Sequence, residues 1–295
     1  MRVYCIIGVS AYHLNRNITS CHLLNLQIKG EHMSKRIAFF DSGLGGLTVL
    51  SKAIDELPNE NFLFYADTLH VPYGVKEAED VKKYIHQSIE TILKEDVKAV
   101  VIACNTATSL AISELRHKYT IPVIGMEPAV KPAVEINRPT GKRVLVFATA
   151  ITLKESKYID LVRRVDDKNI VDSLPLPELV EFCEALNFDT KVIKEYFMNK
   201  LESYDLDEYG TVVLGCTHYP FYKRILMELL PEHIRIIDGS NGTVKRLTQI
   251  LKANSLFSLQ GRNHEVKFLC SSQSEAYLKK MKTALDIFRE MNKFT

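Results

Sequence analysis

The sequence predicts an α/β protein with parallel sheets, built from two similar units whose two thiols point to one site with two opposed reactive groups. Three observations carry this. Short apolar runs alternate with stretches whose apolar residues recur at helical spacing. Such alternation implies parallel sheets covered by helices on both faces. The series also starts twice: Phe40 to Phe147 is a step of 107 positions, and Cys104 to Cys216 is a step of 112. Finally, two apolar runs end alike, one in Ala103-Cys104-Asn105-Thr106 and one in Gly215-Cys216-Thr217-His218. In α/β sheets ligands bind outside the carboxyl ends of the strands, where these turns fall.

Taken in order, residues 1–32 stand apart. Val3 to Val9 is mostly apolar, but its core is short for a signal peptide and no clear cleavage site follows. Lys29-Gly30-Glu31-His32-Met33 suggests a translated ribosome-binding sequence before a start codon. The expectation is that Met33 is the true start and 1–32 a leader, with a disordered extension as the alternative.

From 36 to 40 runs a short apolar strand, then the turn Asp41-Ser42-Gly43-Leu44-Gly45-Gly46. Leu47, Leu50, Ile54 and Leu57 follow at helical spacing, stopped by Pro58. A strand at 62–65, a loop through Pro72-Tyr73-Gly74 and a helix marked by Val81, Ile85, Ile89 and Ile92 come next. Strand 98–103, helix 107–118 and strand 121–125 complete the first series. The second has strand 143–147, helix 152–165, a weaker strand at 170–174, and helices over 178–186 and 190–203. Strand 211–215, helix 221–230 and strand 234–238 follow. A helix, a strand near 266–270 and an amphipathic helix finish the chain.

Composition excludes several classes. With 295 residues the chain is long enough for two domains. A net charge of +2 gives no reason to expect nucleic acid or a membrane surface as partner. No apolar run reaches the roughly 18 residues of a membrane span. The six cysteines, at 5, 21, 104, 183, 216 and 270, form no C-x-x-C pair. That argues against zinc and a thioredoxin-like motif, and the spacing is too sparse for a disulfide scaffold. A reducing, cytoplasmic compartment is expected, with no metal and no cofactor.

The turn at 41–46 lies between strand and helix, a context that suits a small carboxylate. It lacks the G-x-G-x-x-G spacing and the Walker lysine of nucleotide sites. Ser42 as a plain helix cap is the alternative. Cys104 and Cys216 each follow a strand at what reads as a helix start, where a thiol's pKa is lowered. Alone, either would read as an inert small hydrophobe, the usual state of a buried cysteine. Asn105, Thr106 and Thr217 supply short donors and acceptors beside them. His218 follows Cys216 by two and suits orienting it, with Asp41 in the matching part for Cys104. Cys183 and Cys270 read as core residues.

Asp-Ser-Gly-Leu-Gly-Gly-Leu-Thr-Val at 41–49, Val-Pro-Tyr-Gly at 71–74, Ala-Cys-Asn-Thr-Ala at 103–107 and Gly-Cys-Thr-His-Tyr-Pro at 215–220 resemble the glutamate racemases of the aspartate/glutamate racemase family. Val123-Ile124-Gly125-Met126-Glu127-Pro128 fits too, and the resemblance covers about 34–290. His218 after Cys-Thr favours the glutamate branch over the aspartate branch. The resemblance implies a cofactor-independent α/β enzyme of two pseudo-symmetric, doubly wound domains with parallel sheets and the active site in the interdomain crevice, which interconverts L- and D-glutamate and supplies D-glutamate for peptidoglycan. It implies that Cys104 takes the α-proton from D-glutamate and Cys216 from L-glutamate, assisted by Asp41, His218 and Glu181. Asp41, Ser42, Tyr73, Gly74, Asn105, Thr106, Thr149, Thr152, Thr217 and His218 match substrate-binding positions. Domain 1 is expected to be 33–128 plus 239–295, and domain 2 to be 129–238. A homodimer is a further expectation. Another cofactor-free racemase, for aspartate or a hydantoin, and a non-catalytic amino-acid binding protein remain as alternatives.

Overall fold

The computed structural model describes residues 35–258 and 264–293; the expected leader 1–32 lies outside them. Strands β1 (Arg36–Asp41), β2 (Phe62–Ala66), β3 (Val97–Ile102) and β4 (Val123–Gly125) alternate with helices α1 (Leu47–Glu56), α2 (Ala78–Ile92) and α3 (Asn105–Lys118). After α4 (Val130–Asn137) come β5 (Arg143–Ala148), α5 (Ala150–Lys154), α6 (Ser156–Val165) and β6 (Val171–Pro175). The chain continues through α7 (Glu178–Glu184), α8 (Thr190–Leu201), β7 (Tyr209–Leu214), α9 (Lys223–Leu229) and β8 (Arg235–Asp238). It closes with α10 (Ser240–Ala253), β9 (Val266–Cys270) and α11 (Glu275–Met291).

The strands form two sheets, ordered β4-β3-β1-β2-β9 and β6-β5-β7-β8. Every strand pair is parallel. Counting strands from the start of each half, both halves share the order 2-1-3-4, and β9 extends the first sheet beside β2. Central strands read as unbroken apolar runs because helices cover both faces. In α2, Val81, Ile85 and Ile89 are buried and Lys83 is exposed, an amphipathic helix seated on the sheet. Each such burial contributes about 1.5–3 kcal/mol.

The repeat extends to irregularities. The β1–β3 register slips between Arg36 and Ile37, and the β5–β7 register between Arg143 and Val144. Past the strands, Ala103 N–H donates to Phe40 O at 2.8 Å and Gly215 N–H to Phe147 O at 2.7 Å. These pairs keep the steps of 107 and 112. The backbone therefore delivers Cys104 and Cys216 to equivalent points. One apolar cluster joins the halves, drawing Phe39 and Phe64 from the first sheet and Phe147 and Leu214 from the second.

Two expectations change. The helix expected at 152–165 is two, broken at Glu155, whose backbone is extended (φ −69°, ψ 138°). Helix α4 was not anticipated, although its buried Val130, Ala133, Val134 and Asn137 fall at helical spacing. Pro132 masks it, but proline is tolerated in a first turn, where N–H groups lack intrahelical partners.

Candidate active site

Cys104 ends the loop after β3 and caps α3 at its N-terminus. Ala107 N–H donates to its Sγ at 3.4 Å, and Ser42 Oγ lies 3.9 Å away. The helix position led us to expect a lowered thiol pKa; the reverse holds. Burial pushes the Cys104 thiol well up, and the Asp41 carboxylate adds to it. The helix end is outweighed because Cys104 is only 5% exposed.

Cys216 does not cap an α-helix. Thr217 and His218 follow it and lead into a single 3-10 turn, Tyr219–Tyr222. Its Sγ lies 3.7 Å from His218 Nδ1. Nε2 of the same ring lies 2.9 Å from Glu184 Oε1. Burial alone would lower the His218 pKa, but its bonds to Cys216 and Glu184 outweigh that and raise it well above the usual value. With both ring nitrogens protonated, each donates: Nδ1–H to sulfur and Nε2–H to the carboxylate. Gly45 N–H, 3.2 Å from Nε2, then finds no lone pair there.

Glu184 is the acid beside His218, which corrects the expectation of Glu181. Glu181 lies on α7, one turn earlier, and is exposed. Glu184 ends the same helix and turns into the crevice, with its side chain 15% exposed. Its ionised form is favoured by its bonds to His218, Tyr277 and the Leu44 amide, which overcome burial and lower its pKa.

The turn at 41–46 also differs from expectation. Its amides serve the protein's own carboxylates: Gly43 N–H donates to Asp41 Oδ1 at 2.9 Å, and Leu44 N–H to Glu184 Oε1 at 2.6 Å. Ser42 does not cap α1. Glycine is required by close approach. A Cβ at Gly43 would overlap the Glu184 carboxylate, and one at Gly45 the His218 ring.

Hydroxyl groups tie the halves together. Thr217 Oγ1 donates to Asp41 Oδ2 at 2.9 Å, and Thr48 Oγ1 to Thr217 O at 3.1 Å. Burial holds the Asp41 carboxyl above its ordinary range, against His218, Gly43 N–H and Thr217. Thr106 Oγ1 lies 3.0 Å from both Thr149 Oγ1 and Thr152 Oγ1. Thr149 caps α5 at its start, its Oγ1 accepting from Thr152 N–H at 3.4 Å. Tyr73 O–H donates to Asp67 Oδ2 at 2.6 Å, and Gly74 packs against Thr149.

Both thiols line one small cavity with Ser42, Pro72, Tyr73, Gly74, Asn105, Thr106, Thr149, Val180, Thr217 and His218. Its free room is about 10 Å³, the space of one water molecule. Asp41 and Thr152 bond to members of this wall. Asn105 is 3% exposed, and neither its side-chain oxygen nor its nitrogen has a hydrogen-bond partner among the described residues. It therefore presents an unused donor and acceptor. A larger cleft of about 630 Å³, lined by Arg116, Glu127, Pro128, Asp238 and Arg246 among others, contains no thiol. The chemistry lies in the smaller one. Among the described residues no group of His, Cys, Asp or Glu is arranged to hold a metal, and no helix is long and apolar enough to cross a membrane. Asp67, Val180, Glu184 and Tyr277 were missed from sequence; only Glu184 carried a signal, as one of three carboxylates on the helix bearing Glu181.

Residues 50–247 match the family model described as Asp/Glu/hydantoin racemase. A glutamate racemase of Halothermothrix orenii is 45% identical over 256 residues, 87% of this chain and 100% of that one. Glutamate racemase 2 of Bacillus subtilis is 51% identical over 216 residues, 73% of this chain and 82% of that one. The crystal structure of a glutamate racemase isoform from Bacillus anthracis superposes with a TM-score of 0.75 at 27% identity, covering 86% of this chain and 95% of that one.

Proposed function

The chain belongs to the Asp/Glu/hydantoin racemase family, and we propose that it interconverts L- and D-glutamate by proton transfer between two thiols, without a cofactor. The observation that carries this is the delivery of Cys104 and Cys216, by equivalent strands of two halves, to one buried cavity. Racemisation needs a base on one face of the α-carbon and an acid on the other, and two opposed thiols supply them. The names of the relatives support glutamate as substrate.

In this reading Cys216 takes the proton of L-glutamate, and His218 and Glu184 stabilise the charge on its side. Cys104 enters that direction as the neutral thiol and delivers a proton to the opposite face; its raised pKa supports that role. In the reverse direction Cys104 takes the proton of D-glutamate. Asp41 is proposed to assist Cys104. Ser42, Tyr73, Gly74, Asn105, Thr106, Thr149, Thr152 and Thr217 are proposed to hold the substrate. Donors from both halves would stabilise carbanion-like charge in a dry cavity. We take the units as 33–128 plus 239–295 and 129–238, which the strand pairing supports. The proposed product role is D-glutamate supply for peptidoglycan in the cytoplasm, and a homodimer remains part of the proposal.

The test is racemisation of L-glutamate in D₂O, followed by NMR of both enantiomers at low conversion. D-glutamate is expected to carry deuterium at Cα while remaining L-glutamate stays mostly protiated. Substantial protium in the product would rule out separate thiols. No conversion in a chiral assay would rule out the activity.

A further inference from the structure

Glu184 is gripped by more than its histidine. Its Oε2 accepts from Tyr277 O–H at 2.5 Å, and its Oε1 from Leu44 N–H at 2.6 Å as well as facing His218 Nε2 at 2.9 Å. Glu184 closes α7, beside the second sheet. Leu44 follows β1, and Tyr277 stands in the first turn of α11, directly after β9, so both donors come from the side of the first sheet. A chain of contacts thus runs from α11 to Cys216: phenol, carboxylate, imidazole, sulfur.

We propose that Tyr277 is a positioning residue for the Cys216 half of the reaction, fixing the Glu184 carboxylate so that its other oxygen faces His218, and doing so only while the two halves are closed on each other. This rests on the racemase reading above.

The terminal torsion of a glutamate is broad, so one bond to a histidine leaves the carboxylate plane free to turn. A donor on the second oxygen removes that freedom. The phenol is itself well anchored. Ser274 caps α11 by accepting from the Tyr277 amide at 3.3 Å, and Lys280 Nζ lies 5.1 Å from the ring centre. Burial and the nearby carboxylate keep the phenol protonated and so a donor. The cavity has room for about one water molecule, so the halves must part to admit an amino acid. Parting them separates Tyr277 and Leu44 from Glu184. The Cys216 side is then assembled only after closure. The direct contacts of the Cys104 sulfur, to Ala107 and Ser42, lie on its own side of the crevice and survive the parting.

The experiment compares Tyr277→Phe with the wild type in both directions, with α-deuterated L- and D-glutamate, and repeats the change in a Glu184→Ala background. Thermal melting checks that each variant folds. We expect kcat to fall about tenfold or more, the cost of misplacing one proton-transfer partner, while KM moves less than about twofold. As the Cys216 step becomes limiting, the isotope effect on kcat/KM should rise for L-glutamate and fall for D-glutamate. In the Glu184→Ala background, Tyr277→Phe should add nothing, because its action passes through that carboxylate. Unchanged kcat, equal movement of both isotope effects, or full additivity with Glu184→Ala overturns the proposal alone. A wild-type protein that does not racemise glutamate overturns the racemase reading, and this proposal with it.

Discussion

The two ends of the crevice share a backbone and differ in their chemistry. Cys104 and Cys216 follow equivalent strands, and the residues before them donate to the equivalent carbonyls of Phe40 and Phe147. Around Cys104 the sulfur meets neutral donors, the Ala107 amide and the Ser42 hydroxyl, with the buried Asp41 nearby. Around Cys216 an ionisable chain runs through His218 and Glu184 to Tyr277. One thiol is held neutral, while the other stands beside an imidazole whose protonated form is favoured. The duplicated scaffold gives matching positions without matching electrostatics. Exchange between mirror images requires two opposed groups, not two identical surroundings.

The largest test of that comparison removes either sulfur. Cys104→Ala and Cys216→Ala should each lower glutamate racemisation by about 10²–10⁴-fold, with circular dichroism unchanged. Near-full activity in either variant would break the pairing of the two ends.

A smaller effect sharpens it by testing the charged end alone. Glu184→Gln should cut kcat about tenfold or more, because His218 loses the carboxylate that holds its second nitrogen. Glu181→Gln, one turn away on the exposed face, should stay within about twofold. Steady-state rates for the pair decide which glutamate belongs to the site, and equal losses would restore Glu181.

The smallest effect is on stability against pH. The folded pKa of His218 is raised, so its pairing stabilises fully below the unfolded value of about 6.5 and is lost as pH rises through the folded value. That of Glu184 is lowered, so its contribution is present above about 4.3 and is lost as pH falls through its folded value. His218→Asn should therefore flatten the alkaline fall in Tm, by an amount on the order of a few degrees. Below about pH 8, where an unfolded thiol also keeps its proton, Cys104→Ala should leave that slope alone. Melting curves from about pH 6 to 8 separate the two ends, and identical slopes in both variants would contradict the assignment.

What the sequence determined by itself was local. Apolar runs, helical spacing and the turns after Phe40, Ile102, Phe147 and Leu214 are written within short windows, and the fold followed from them. Both thiols and their threonine and asparagine neighbours were legible for the same reason: a strand end fixes the residues that come next. Tertiary structure decided everything that depends on the second half of the crevice. Glu181 and Glu184 lie three positions apart on one short helix, and no pattern within that helix tells which carboxylate is covered. The choice is made by Leu44 and Tyr277, 140 and 93 positions away. The glycines of the 41–46 turn read as a cradle for an outside anion, until Asp41 and Glu184 were seen to occupy its amides. The Cys104 thiol was expected to be acidic from its place at a helix end. It is the reverse because closure of the two halves removes water, so that burial outweighs the helix, and Asp41, at the end of the neighbouring strand of the same sheet, adds to it.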